Sequence, residues 1–187
     1  GMSSCRNIYL NRVFLSPREG MLMTATADGL HCMNCTGDIV ITGCVFEASH
    51  DDCMNINGRY LTVKSSEGNT LTLTGLDVPV FPGDVLEVYS KEDLHMVGSF
   101  TVTAVDAKTG ILTVAEDTAG AVTDCFAANI TQSPTLTVRD CLMGNKRNRG
   151  MLIQVRNVTV ENCTFRNICH GPVQIFSVPS SFGEGIM

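Results

Sequence analysis

Apolar and polar residues alternate along Asp38-Ile39-Val40-Ile41-Thr42-Gly43-Cys44-Val45-Phe46. The phrase returns as Thr135-Leu136-Thr137-Val138-Arg139-Asp140-Cys141-Leu142-Met143 and again as Asn157-Val158-Thr159-Val160-Glu161-Asn162-Cys163-Thr164-Phe165. A period of two marks an extended strand with one face turned inward. Aligned on the cysteines at 44, 141 and 163, the inward sets are Ile39/Leu136/Val158, Ile41/Val138/Val160 and Phe46/Met143/Phe165. A second short strand follows each cysteine at the same offset: Met54 and Ile56, Met151 and Ile153, Val173 and Ile175. An earlier copy runs from Cys5 to Leu15, with Ile8 and Leu10 in the inward places and Val13 where the later copies have cysteine. Strand phrases repeating every 20 to 25 residues or so signify a solenoid. The pattern predicts an all-β, right-handed parallel β-helix of about four coils.

The spacing breaks once. Ile39 and Leu136 stand 97 positions apart; with one coil removed, about 75 residues fall outside the repeat. Within them, strand-like runs at 71–74, 85–89, 100–105 and 111–114 are separated by turns such as Lys108-Thr109-Gly110. Such a series predicts a small antiparallel β-barrel. The expected organisation is therefore β-helix over 1–58, inserted barrel over 59–130 and β-helix again over 131–187, irregular from Ser177 onward.

Composition narrows the classes of function. With 44% hydrophobic and 17% charged residues, the 187-residue chain can bury a core. Its net charge of −6 and single basic cluster, Lys146-Arg147-Asn148-Arg149, argue against a nucleic-acid partner. No apolar run approaches the roughly 20 residues that span a bilayer, so no membrane partner is expected either. Gly1-Met2 looks like the remnant of a cleaved tag ahead of a chosen start, which leaves room for a native signal peptide outside this sequence. Nine cysteines are an odd number, and three of them keep one place in the repeat, which favours a reduced, buried ladder over a disulfide framework. Cys32-x-x-Cys35 has no second pair or paired histidines to complete a zinc site. No cofactor and no metal is called for.

Stacking decides where the polar residues meet. Asp28-Gly29-Leu30-His31-Cys32 and Asp52-Cys53-Met54-Asn55-Ile56 are one phrase written twice, and equivalent residues of successive coils lie about 4.8 Å apart. Asp28 and Asp52 thereby become neighbours, Asp51 shares their corner, His31 stacks near Asn55, and Arg149 takes the place of Asp52 one coil on. Like charges so close raise at least one carboxyl pKa, which keeps one acid protonated beside an ionised neighbour. Paired carboxyls of that kind hydrolyse glycosides. Two other uses compete: aspartates that cap corners through their side chains, and a calcium site of hard oxygen ligands.

Thr26-Ala27-Asp28-Gly29-Leu30-His31-Cys32, the stretch from Cys44-Val45-Phe46-Glu47 through Asp51-Asp52-Cys53-Met54-Asn55-Ile56-Asn57-Gly58, and Asn148-Arg149-Gly150-Met151-Leu152-Ile153 together resemble the family 110 glycoside hydrolases. These are exo-acting α-1,3-galactosidases of bacteria, which remove terminal galactose from glycans. The resemblance runs from Cys5 to Phe176, as a short or partial member. It implies a parallel β-helix with an inserted barrel, hydrolysis with inversion, and periplasmic or secreted localisation. The family's acid cluster carries over to Asp28, Asp51 and Asp52, and its Arg-Gly to Arg149-Gly150. Glu184, in Phe182-Gly183-Glu184-Gly185, resembles the acid that follows the next coil in related β-helix hydrolases.

Inversion sets acid and base roughly 6.5 to 9.5 Å apart. Directly stacked Asp28 and Asp52 would be closer than that. The expectation is therefore that Asp51 or Asp52 is one catalytic group and Glu184 the other, with Asp28, His31, Asn55 and Arg149 binding substrate. The partner is a terminal galactoside. With no Trp and three Tyr, aromatic sugar platforms are sparse, which keeps open a non-catalytic carbohydrate-binding β-helix or an inactive fragment of a larger hydrolase. Unpaired end coils also invite homo-oligomers.

Overall fold

A computed structural model describes residues 1–74, 76, 78–120, 122–179 and 183–185. Its contacts divide into two compact units: Gly1–Gly58 with Ser133–Ser177, and Arg59–Gln132 with Val178–Gly185.

The first unit is the parallel β-helix. Its strands are β1 (Met2–Ser3), β2 (Arg6–Asn11), β3 (Phe14–Leu15), β4 (Leu30–Met33), β5 (Thr36–Thr42), β6 (Val45–Glu47) and β7 (Met54–Arg59). After the second unit's β8 (Leu61–Glu67), β9 (Thr70–Leu73), β10 (Val85–Ser90), β11 (Met96–Asp106), β12 (Ile111–Val114) and β13 (Cys125–Asn129), the helix resumes. It continues with β14 (Thr135–Arg139), β15 (Leu142–Lys146), β16 (Arg149–Gln154), β17 (Asn157–Glu161), β18 (Thr164–Ile168) and β19 (Gly171–Ile175). Each coil carries three strands on three sheets, ordered β2-β5-β14-β17, β3-β6-β15-β18 and β1-β4-β7-β16-β19. All these pairings are parallel.

The register follows the repeat. Ile8, Ile39, Leu136 and Val158 stack, as do Leu10, Ile41, Val138 and Val160. Leu15, Phe46, Met143 and Phe165 form a third column, and Leu30, Met54, Met151 and Val173 a fourth. The middle members of each column are sealed from water, so every coil adds apolar burial of about 25 cal/mol per Å² to one continuous core.

The run over Asp38–Phe46, one phrase in the sequence, is two strands on two sheets, with the corner at Gly43-Cys44. The residue before the ladder position has positive φ in all four copies, at Arg12, Gly43, Asp140 and Asn162. A left-handed residue turns the chain, and Gly, Asn and Asp adopt that conformation at least cost. The ladder thiols then close the corner. The backbone N–H of Val13 donates to Cys44 Sγ and that of Cys44 to Cys141 Sγ, both at 3.4 Å.

The second unit is a closed six-stranded barrel, β10-β11-β12-β9-β8-β13. Of the two strands that close it, β13 shows no alternation and β8 alternates only over its first four residues. β8 carries a polar Lys64-Ser65-Ser66 segment, and all five residues of β13 are buried. Asn129 and the short turn Ile130–Gln132 belong to this unit, so the helix resumes at Ser133 rather than at 131. Val178–Gly185, expected with the helix, group with the barrel as well. Ser180 to Phe182 and the last two residues of the expected irregular tail lie outside the described residues.

Candidate functional site

The third corner of the helix, between β6 and β7, gathers the acids. Asp28 Oδ1 accepts the backbone N–H of Asp52 at 3.0 Å, one coil away. The Gly29 N–H donates to the Asp52 carbonyl at 2.9 Å, so backbone and side chain tie the two copies of the phrase together. Oxygens of Asp28, Asp51 and Asp52 lie within 4.8 Å of one another. His31 Nδ1 stands 3.3 Å from Asp28 Oδ2, and His31 is in register with Asn55.

Two cations from the next coil oppose these three acids. Arg149 Nε donates to Asp52 Oδ1 at 2.7 Å, and its Nη2 lies 3.8 Å from Asp51 Oδ1. The guanidinium also lies over the Phe176 ring, 5.8 Å from its centroid. Lys146, which is buried, donates to Ser49 Oγ at 2.6 Å and to the Asp51 carbonyl, while Ser49 Oγ donates to the Asp52 carbonyl at 2.9 Å. Asn148 Nδ2 donates to the Asp51 carboxylate.

Burial governs the protonation of this group. It raises the Asp28 carboxyl above its ordinary value, against the pull of the Asp52 N–H and of His31. It raises Asp52 too, against the pull of Arg149. The Lys146 ammonium is pushed down by the same loss of hydration. The side chains differ in access: Asp51 is 49% exposed, Asp28 12% and Asp52 1%. Asp51 is thus the carboxyl that meets solvent, and Asp52 is held beneath it by Arg149.

The coil stacking brings together Asp28, His31, Asp51, Asp52, Asn55 and Arg149. Asn55 is buried, and its Oδ1 has no partner among the described residues. Glu184 stands on β20 (Glu184–Gly185) of the barrel unit, bridged to Val178; Phe182 of its motif lies outside the described residues. Lys146, Asn148 and Ser49 were missed as site residues, although the signal existed. Lys146 follows Cys141 at the interval by which Ser49 follows Cys44, and Asn148 answers Asp51 in the same way. The three acids could supply oxygen ligands to a hard cation, which would compete with Arg149 for Asp52.

Fold and site together define the class: a parallel β-helix that stacks a carboxylate cluster at one corner. The chain is 30% identical over 175 residues to alpha-1,3-galactosidase A of Akkermansia muciniphila, covering 86% of this chain and 29% of that protein. It is 29% identical over 175 residues to alpha-1,3-galactosidase A of Bacteroides fragilis, covering 85% and 29%, and 30% identical over 177 residues to that of Streptomyces avermitilis, covering 80% and 28%. The resemblance to the family 110 glycoside hydrolases is thereby shown, as a short or partial member. The chain spans less than a third of the length of these relatives. No protein-family model matches it. Among solved structures, the tailspike protein gp49 from Pseudomonas phage LKA1 is similar with a TM-score of 0.32 and 14% identity, covering 83% of this chain and 29% of that one. That likeness is too slight to bear on function.

Proposed function

We propose that the protein is a glycoside hydrolase that removes terminal α-linked galactose from glycans with inversion. The observation that carries this reading is the corner cluster. Three carboxyls share one corner, two of them driven up by burial, in a chain whose relatives are named alpha-1,3-galactosidases.

Asp51, the exposed acid, exchanges a proton with substrate or water. Arg149 and Asn148 hold it in place. Asp52 fixes Arg149, and Asp28 with His31 takes sugar hydroxyls. The spacing within the cluster falls below the roughly 6.5 to 9.5 Å that inversion needs, so the cluster acts as one end of the reaction. Glu184 is the proposed second carboxyl.

The test is to incubate the chain with an α-1,3-linked galactobioside and follow product by NMR. β-Galactose appearing first supports inversion, whereas α-galactose appearing first rejects it. Absence of turnover while galactose binds would leave a carbohydrate-binding module in its place. Loss of turnover in Glu184→Gln, with unfolding unchanged, is expected if Glu184 takes part.

A further inference from the structure

A cavity in the helix unit, about 290 Å³, is walled by Leu22, Met23, Ser49, His50, Lys146 and Arg147, with Ala48 and Asn145 completing it. Among the described residues no carboxylate lines it, although the chain carries a net charge of −6. Of the two acids that adjoin the lining in sequence, Glu47 is already engaged by Arg166 and Asn145, each at 2.8 Å. Asp51 turns its carboxylate to Asn148 and Arg149. Arg147 makes no ion pair among the described residues.

Lys146 supplies the independent sign of a ligand. Its ammonium has three N–H donors, and the side chain is 5% exposed. Ser49 Oγ and the Asp51 carbonyl take two of them. A buried, charged donor without an acceptor is costly, and this one stands in the cavity wall. Ser49 and Lys146 also belong to the acid corner, while Met23 is shared with a neighbouring cavity of about 530 Å³ that runs from Met23 to Asp28. The two cavities thus share one wall residue. Asp28 lines the larger cavity and the cations the smaller, whose volume is at the small end for ligand sites, on the order of 300 Å³.

We propose that the cavity walled by Ser49, His50, Lys146 and Arg147 is an acceptor-sugar subsite for a glycan bearing a carboxylate or a sulfate ester. This deepens the galactosidase reading and rests on it: terminal galactose occupies the cavity at Asp28, and the anionic sugar beside it meets Arg147, His50 and the Lys146 donor that has no acceptor among the described residues. The apolar Met23 covers a sugar face.

Binding of galacturonate, galactose 6-sulfate and galactose to the full chain is measured by calorimetry at low and at physiological salt. Both anionic sugars are expected to bind at least tenfold more tightly than galactose, with the advantage shrinking as salt rises. Arg147→Ala and His50→Ala alter exposed residues outside the acid corner, and each is expected to reduce the advantage several-fold. Equal affinity for all three sugars, or an advantage untouched by both variants, overturns the subsite. If only one anionic sugar binds tightly, the subsite stands and its chemistry is that of the sugar bound. Turnover distinguishes the two proposals. Cleavage of a neutral galactoside without anion preference overturns the subsite alone, whereas anion binding without cleavage of any galactoside overturns the hydrolase reading and leaves an anionic-glycan site.

Discussion

Arg149 Nε lies 2.7 Å from Asp52 Oδ1, joining residues 97 positions apart across neighbouring coils. Asp52 is 1% exposed, and the net balance of burial and pairing still raises its pKa. The Arg149 hydrogen bond therefore offsets only part of the cost of burying this carboxylate. Arg149→Met leaves a buried charge unpaired and is expected to cost about 3–5 kcal/mol. Arg149→Met with Asp52→Asn is expected to recover much of that loss. Urea unfolding of both variants checks it, and equal stability of the two would show that the pair is not what the loss reports.

The pH response of Asp28 has a definite sign. Its folded pKa is raised above the ordinary value near 3.8, so over the window between those values the native state binds the proton that the unfolded state has released. Stability contributed at this site is present at low pH and is lost as pH rises through the window. The unfolding free energy of the wild type minus that of Asp28→Asn is expected to fall as pH is raised from about 3 to about 6. A difference that rises instead would mean that hydrogen bonding to Asp52 outweighs burial.

Loss of general acid or base assistance costs on the order of a hundredfold in rate or more. Asp51→Asn and Asp52→Asn are each expected to lower galactoside turnover by at least that factor, for different reasons. Asp51 is exposed and is the acid proposed to meet substrate, whereas buried Asp52 is proposed to act through Arg149. Asp51→Asn should therefore lower kcat with an intact fold, while Asp52→Asn should also shift unfolding. Wild-type turnover in both variants would return these acids to the role of corner caps or cation ligands.

Gly150 follows Arg149 where two coils press together. A Cβ there would fall against the Pro172 carbonyl oxygen and the Phe165 ring. Gly150→Ala is expected to force β16 away from β19 and to cost about 1–3 kcal/mol, as overpacking does. Thermal unfolding measures the loss; an unchanged midpoint would show that the last coil yields freely.

The cysteine ladder makes a chemical prediction. All nine thiols are unpaired in the structure, and Cys44 and Cys141 are deeply buried. Burial also pushes the Cys141 thiol up to about 11, which slows its reaction at neutral pH. Titration of the native protein is expected to reach the exposed Cys5 and Cys169 first and the ladder only in denaturant. Two or fewer free thiols in the unfolded, non-reduced chain would replace the ladder with disulfides.

The sequence by itself determined the coils and most of the corner. A parallel stack repeats one environment every 22 residues or so, so inward columns, ladder cysteines and the Asp28–Asp52 and His31–Asn55 pairings could be counted off the chain. The same counting places Lys146 over Ser49 and Asn148 over Asp51, although a charged run such as Lys146-Arg147-Asn148-Arg149 reads by polarity as solvated surface. Tertiary structure alone decided the rest. β13 closes the barrel without alternation, because a strand buried along its whole length has no polar face to announce it, whereas β8 alternates only over its first four residues before a polar segment. The corner at Gly43-Cys44 splits what reads as one strand, since a left-handed residue turns the chain without changing the period of its neighbours. Which acid meets solvent and which lies beneath it depends on the coil stacked above. Arg149 covers Asp52 and leaves Asp51 open, and that difference of depth arises from packing between residues far apart in the chain.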